Sequence, residues 1–138
     1  PCEVTRRRAM ATYDMAEISG ELDFSDPFFV TRTRGERAYP LIREQLEQSP
    51  QGQGLVLVFP EAQLIDVSFA DETIIRLGQE LMAGQFGNVA LLLPGLTEDS
   101  IKNIEAIISL RRLKLGFLAV EPEGAWKCIG IFPITMMN

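Results

Sequence analysis

The chain has 138 residues, with 13 Lys and Arg against 19 Asp and Glu, a formal charge of −6. An apolar share of 46% and a charged share of 23% fit a soluble globular domain with one core and exclude a disordered chain. A net acidic chain is a poor nucleic-acid binder. No apolar run reaches the roughly 18 residues that span a bilayer. The lack of histidine excludes Ser-His and Cys-His nucleophile pairs and every His-ligated metal site.

Residues 1–10 read as a flexible N-terminal arm and residues 11–138 as one domain. Arg6, Arg7 and Arg8 precede a stretch that contains Asp14 and Glu17, so no signal peptide is expected and a cytoplasmic location is. The arginine run reads as a solvated tail. Cys2 and Cys128 are too few for a zinc cluster or a disulfide framework. They are expected as free thiols, with a bridge between them left open.

Residues 11–18 read as a weak strand and Ser19-Gly20 as a turn. Residues 22–24 and 28–31 read as short strands interrupted by Asp26-Pro27. Residues 36–48 carry Ala38, Leu41, Ile42 and Leu46 on one helical side, with Pro40 tolerable only near a first turn. Leu55-Val56-Leu57-Val58-Phe59 reads as a central strand covered on both faces. Residues 68–83 hold the strongest helix, with Ile74, Leu77, Gly78 and Leu81 at i, i+3, i+4 and i+7 and Gly84 and Gly87 at its end. Residues 88–93 form a second buried strand, stopped by Pro94-Gly95. Thr97 starts a third helix, with Glu98 and Asp99 in its first turn and Arg111, Arg112 and Lys114 at its end. Residues 115–120 and 125–132 read as strands joined by Glu121-Pro122-Glu123-Gly124. The alternation predicts an α/β fold with a mixed, largely parallel sheet and right-handed crossovers.

Gly52-Gln53-Gly54 precedes a strand and so is neither a dinucleotide fingerprint nor a P-loop. The one dense cluster is Ile65-Asp66-Val67-Ser68-Phe69-Ala70-Asp71-Glu72, which opens the strongest helix. Its local role comes first: Ser68 and Asp71 have the spacing of a capping box, and Phe69 and Ile65 are then core residues. Two functional readings compete with it. Ser68 is a phosphoacceptor or a partner contact at a helix start, or Asp66, Asp71 and Glu72 hold a hard cation such as Mg²⁺, or a nucleotide or other small ligand. On an α-helix Asp71 and Glu72 point about 100° apart, which disfavours one small ion between them. No cofactor and no metal is expected.

At this cluster the sequence resembles the STAS domain of anti-sigma factor antagonists and sulfate-transporter cytoplasmic tails, and most of all a STAS-like family of bacterial proteins. The residues that carry the likeness are the apolar strand 55–59, then Leu64-Ile65-Asp66, then Ser68-Phe69-Ala70-Asp71-Glu72. Upstream, Phe29-Val30-Thr31-Arg32 followed by Gly35 resembles the family's lead-in to its first helix. The likeness covers roughly residues 12–120. It implies a single STAS-like domain with helices mainly on one face of the sheet, and a regulatory module rather than an enzyme. It further implies a protein partner of the histidine-kinase-like ATPase or anti-sigma type, and Ser68 as phosphoacceptor with Asp66 before it. Phe69 stands where the antagonists usually have glycine, and an aromatic there narrows access to the Ser68 hydroxyl. The expected partner-binding residues are Asp66, Ser68, Phe69, Asp71 and Glu72. Arg32, Arg34 and Arg37 form a possible basic contact patch, unless they pair with Asp23, Asp26 or Glu36. Trp126 is expected as a packing anchor. A homodimer through residues 125–132 is the structural alternative.

Overall fold

A computed structural model describes residues 10–22, 29–59, 64–87, 89–115, 118–121 and 127–128. Its elements in chain order are β1 (Met10–Asp14), α1 (Met15–Glu21), α2 (Arg32–Gln48), β2 (Gly54–Val58), α3 (Val67–Ala70) and a π turn (Asp71–Ile75). α4 (Arg76–Met82), β3 (Ala90–Pro94), α5 (Glu98–Arg111), β4 (Leu118–Glu121) and β5 (Lys127–Cys128) follow. One five-stranded sheet has its strands in sequence order, β1 to β5. β1 to β4 are parallel, and β5 is antiparallel to β4. The α/β class and the largely parallel sheet are as the alternation of elements predicts.

Monotonic strand order has a geometric consequence. Every right-handed crossover moves the same way along the sheet, so α2, the α3–α4 helix and α5 all fall on one face. They pack as one layer: the α3–π segment touches both α2 and α5. Their apolar sides meet Tyr13, Leu55, Leu57, Phe59, Leu91 and Leu93, which share the core. On the other face Val56 and Val58 are half-buried, so β2 is not fully covered on both faces. A side-chain network ties α2 to α4. Tyr39 donates to Glu80, Arg43 donates to the Tyr39 hydroxyl at 3.1 Å and to Glu80 at 3.2 Å, and the Arg76 guanidinium lies 3.7 Å from the Tyr39 ring centroid.

Several local expectations are corrected. Residues 11–18 are not one strand: Asp14 ends β1 and caps α1, its Oδ1 accepting from Ala16 N–H at 2.9 Å. Residues 28–31 are no strand among the described residues. Phe29 makes one parallel bridge to Ile65, and Thr31 is the N-cap of α2. α2 therefore begins four residues before the expected 36, at Arg32, which puts Pro40 in its interior rather than its first turn. The end of α4 is as expected. The N–H groups of Gly84 and Gln85 donate to Leu81 and Glu80 carbonyls, with Gly84 at φ +79°, a Schellman close. Residues 1–9, all but Leu22 of the expected strand 22–24, Asp26-Pro27, all but Glu121 of the expected turn Glu121-Pro122-Glu123-Gly124, and the expected strand 125–132 with Trp126, save 127–128, lie outside the described residues.

Candidate functional site

In a parallel α/β layer the helix that follows a strand starts at the carboxyl edge of the sheet. The cluster at residues 64–72 lies there, on the β2-to-α3 connection. Its backbone is laced to neighbours: Asp66 N–H donates to Phe29 O at 3.3 Å and Ile65 N–H to Ser100 Oγ at 3.0 Å. The Asn103 amide donates to Ile65 O at 2.9 Å.

The N-cap of α3 is Asp66, not Ser68. Asp66 Oδ1 accepts from Phe69 N–H at 2.8 Å, and its Oδ2 accepts from Thr31 N–H at 3.0 Å. One carboxylate thus fixes the starts of two helices. Thr31 is a β-branched residue at φ 73°, ψ 148°, a conformation that costs roughly 1–3 kcal/mol and persists only where neighbours enforce it. The Asp66 carboxylate and the bond from Arg34 N–H to Thr31 Oγ1, 3.3 Å, do so. Ser68 sits one residue inside the helix, half-exposed. Its hydroxyl makes no hydrogen bond among the described residues. The expected capping box is absent, because Asp71 does not turn back to Ser68.

Asp71 instead joins three helices. Arg111 of α5 grips it with two nitrogens, at 2.7 and 3.1 Å, and Arg32 of α2 reaches it at 3.0 Å. The same Arg32 nitrogen also donates to Glu72. Burial works to raise the Asp71 pKa, but the hydrogen bonds and charges of Arg111 and Arg32 outweigh it, so the carboxyl is held below its ordinary value. The bonds to Glu72 and Asp71 hold the Arg32 proton more firmly still. α2 comes this close because residue 35 is glycine: a Cβ there would lie 2.8 Å from Glu72 Cβ and 3.2 Å from Phe69 O.

Phe69 is fully buried, edge-on to Phe29 at 5.6 Å. A fully buried ring cannot touch a partner, so Phe69 is a core residue and not a contact residue. Arg32 and Arg37 of the expected basic patch turn to different partners. Arg32 faces Asp71 and Glu72, whereas Arg37 Nη2 donates to Leu22 O at 2.8 Å, at the end of α1. Among the described residues, no group of three Asp, Glu, Cys or His side chains could hold a metal ion, and Asp66, Asp71 and Glu72 are each engaged by a cap or an arginine. Among the described residues the strand order never reverses, so these strands form no switch-point crevice of the kind where open α/β folds take ligands.

Three residues escape the sequence reading. Leu64 and Val67 flank Asp66 and are 42% and 44% exposed. Arg111, read as a helix-end charge, is the main partner of Asp71. No helix among the described residues is long and apolar enough to cross a membrane. Comparison with family models, curated proteins and solved structures finds no match.

Proposed function

We propose that this chain is a non-enzymatic, STAS-like regulatory module that works by protein–protein contact, docking its partner at the start of the α3–α4 helix. One observation carries the reading. The turn holding Leu64, Val67 and Ser68 presents apolar side chains and a hydroxyl to solvent, while Asp66, Arg32 and Arg111 fix the backbone beneath it. A rigid platform with exposed apolar groups costs little entropy on docking. Catalysis is disfavoured by the same contacts. A general base works best with a pKa near the operating pH, and the arginines push Asp71 the other way.

Ser68 is the proposed regulatory point. A phosphate there would stand at a helix N-terminus, which favours it, and beside Asp66, Asp71 and Glu72, which oppose it. The kinase expected from the resemblance is an ATPase of the histidine-kinase-like fold. The test is a pull-down from the source cells with the unaltered chain and with Ser68→Glu, read by mass spectrometry. The reading expects a regulatory or ATPase-type protein held by the first and lost by the second. Equal capture by both would remove Ser68 from the mechanism, and capture of no such protein by either would count against docking itself.

A further inference from the structure

The ends of α4 and α5 close in the same way on different residues. At the end of α4 the left-handed residue is Gly84, at φ +79°. At the end of α5 it is Arg112, at φ 52°, ψ 44°. Arg112 N–H donates to Ser109 O at 3.3 Å and Leu113 N–H to Ile108 O at 3.0 Å, the two bonds of a Schellman motif. Arginine is disfavoured in that position relative to glycine, because its Cβ crowds the backbone. A residue held there against its preference is grounds to ask what its side chain does.

Its surroundings combine one sign of charge with exposed apolar surface. Residues 106–120 contain Arg111, Arg112 and Lys114 and no Asp or Glu, in a chain of net charge −6. Arg111 is taken by Asp71. Arg112 and Lys114 are exposed and make no ion pair among the described residues. Leu110 is 85% exposed, with Ala106 exposed one turn before it and Leu113 half-buried beyond it. The negative end of a helix favours cations. That accounts for basic residues near the end of α5, but not for a leucine in water or for an arginine in the glycine position. The surface is also separate from the turn that holds Leu64 and Val67. Leu110 follows Ser100, which bonds Ile65 N–H, by ten residues, about 15 Å along the helix.

We propose that the end of α5 is a second docking surface, whose partner is an acidic protein segment bearing an apolar side chain. Leu110 is the anchor, and Arg112 and Lys114 meet the partner's carboxylates. One leucine offers little apolar area to a bilayer, and two unpaired cations release few counterions from a nucleic acid. A protein segment needs neither: an apolar contact ringed by matched charges is enough for specific docking.

The test selects random peptides displayed on phage against the unaltered chain. It discards those that also bind the triple variant Leu110→Ser, Arg112→Gly, Lys114→Gln. The proposal expects the survivors to combine Asp or Glu with Leu, Phe or Trp. A synthetic survivor should bind Arg112→Gly about fivefold or more weakly, and should weaken similarly on the unaltered chain as salt rises from about 0.05 to about 0.5 M. Arg112→Gly should not lower the urea midpoint, since glycine suits the turn. A lower midpoint would mean that the arginine serves the fold, and would count against the proposal. No survivors, or survivors without an acidic excess, overturn it. So does binding to phosphatidylserine vesicles, to duplex DNA or to a second copy of the chain that the same variants abolish. These variants leave residues 64–68 unaltered, so this result and the pull-down stand or fall separately.

Discussion

Asp66 and Ser68 stand two residues apart and are both good N-cap types, yet only Asp66 caps. Its second oxygen decides this, by meeting Thr31 N–H from 35 positions away, a contact that no local pattern carries. The two residues should therefore respond differently to truncation. Asp66→Ala strips two helix starts of their acceptor and is expected to cost about 1–3 kcal/mol, whereas Ser68→Ala should stay within about 0.5 kcal/mol. Urea unfolding of both variants checks this, and the opposite ranking would restore Ser68 as the cap. Gly35 offers a second residue-scale expectation. Alanine is the better helix former by up to about 1 kcal/mol, but its Cβ would press on Glu72 Cβ at 2.8 Å and on the Phe69 backbone. Overpacking against backbone costs roughly 1–3 kcal/mol, so Gly35→Ala should lower the urea midpoint. A rise would mean that α2 can move away freely.

At the scale of elements, periodicity placed the α3–α4 helix, β2, β3 and α5 well, because each buries a repeating apolar face. It failed where the end of an element is set by a partner distant in sequence. α2 starts at Arg32 because Asp66 secures the Thr31 N–H. Its early start leaves Pro40 inside the helix, where it withholds one N–H and crowds the preceding turn. Pro40 is exposed, so Pro40→Ala should raise stability by about 1–3 kcal/mol, read from thermal or urea unfolding. No gain would show that the helix already bends to accommodate the ring. The π turn was not legible, because Phe69, Thr73, Leu77 and Leu81 keep the four-residue spacing of one α-helical row. The Asp71 clamp was not legible, because it joins residues about 40 positions apart on three helices. Its pH signature has a definite sign. The Asp71 pKa is lower in the folded chain, so the clamp stabilises fully above the unfolded value of about 3.9. That contribution is lost as pH falls below it, through the folded value. Asp71→Asn should flatten this part of the acid unfolding curve, and an unchanged acid limb would show that the arginines do not favour the ionised form.

For the molecule as a whole, the strands stand in sequence order, and a single layer of helices then follows from one rule of handedness applied at each parallel crossover. The alternation of elements made the fold class legible. The candidate site was legible only as a cluster: Asp66, Asp71 and Glu72 were marked as chemistry-bearing, and the structure makes them ties between helices. What remains exposed is Leu64, Val67 and Ser68, and the central claim is that a partner docks there. Site-specific photo-crosslinking from position 67, in the cells that make this protein, tests it most directly. Position 44, exposed on the second half of α2 and towards the opposite end of the sheet, serves as the control. The account predicts a discrete crosslinked regulatory protein from position 67, absent from position 44 and diminished by Ser68→Glu. Equal crosslinking from both positions, or none from position 67, would contradict it.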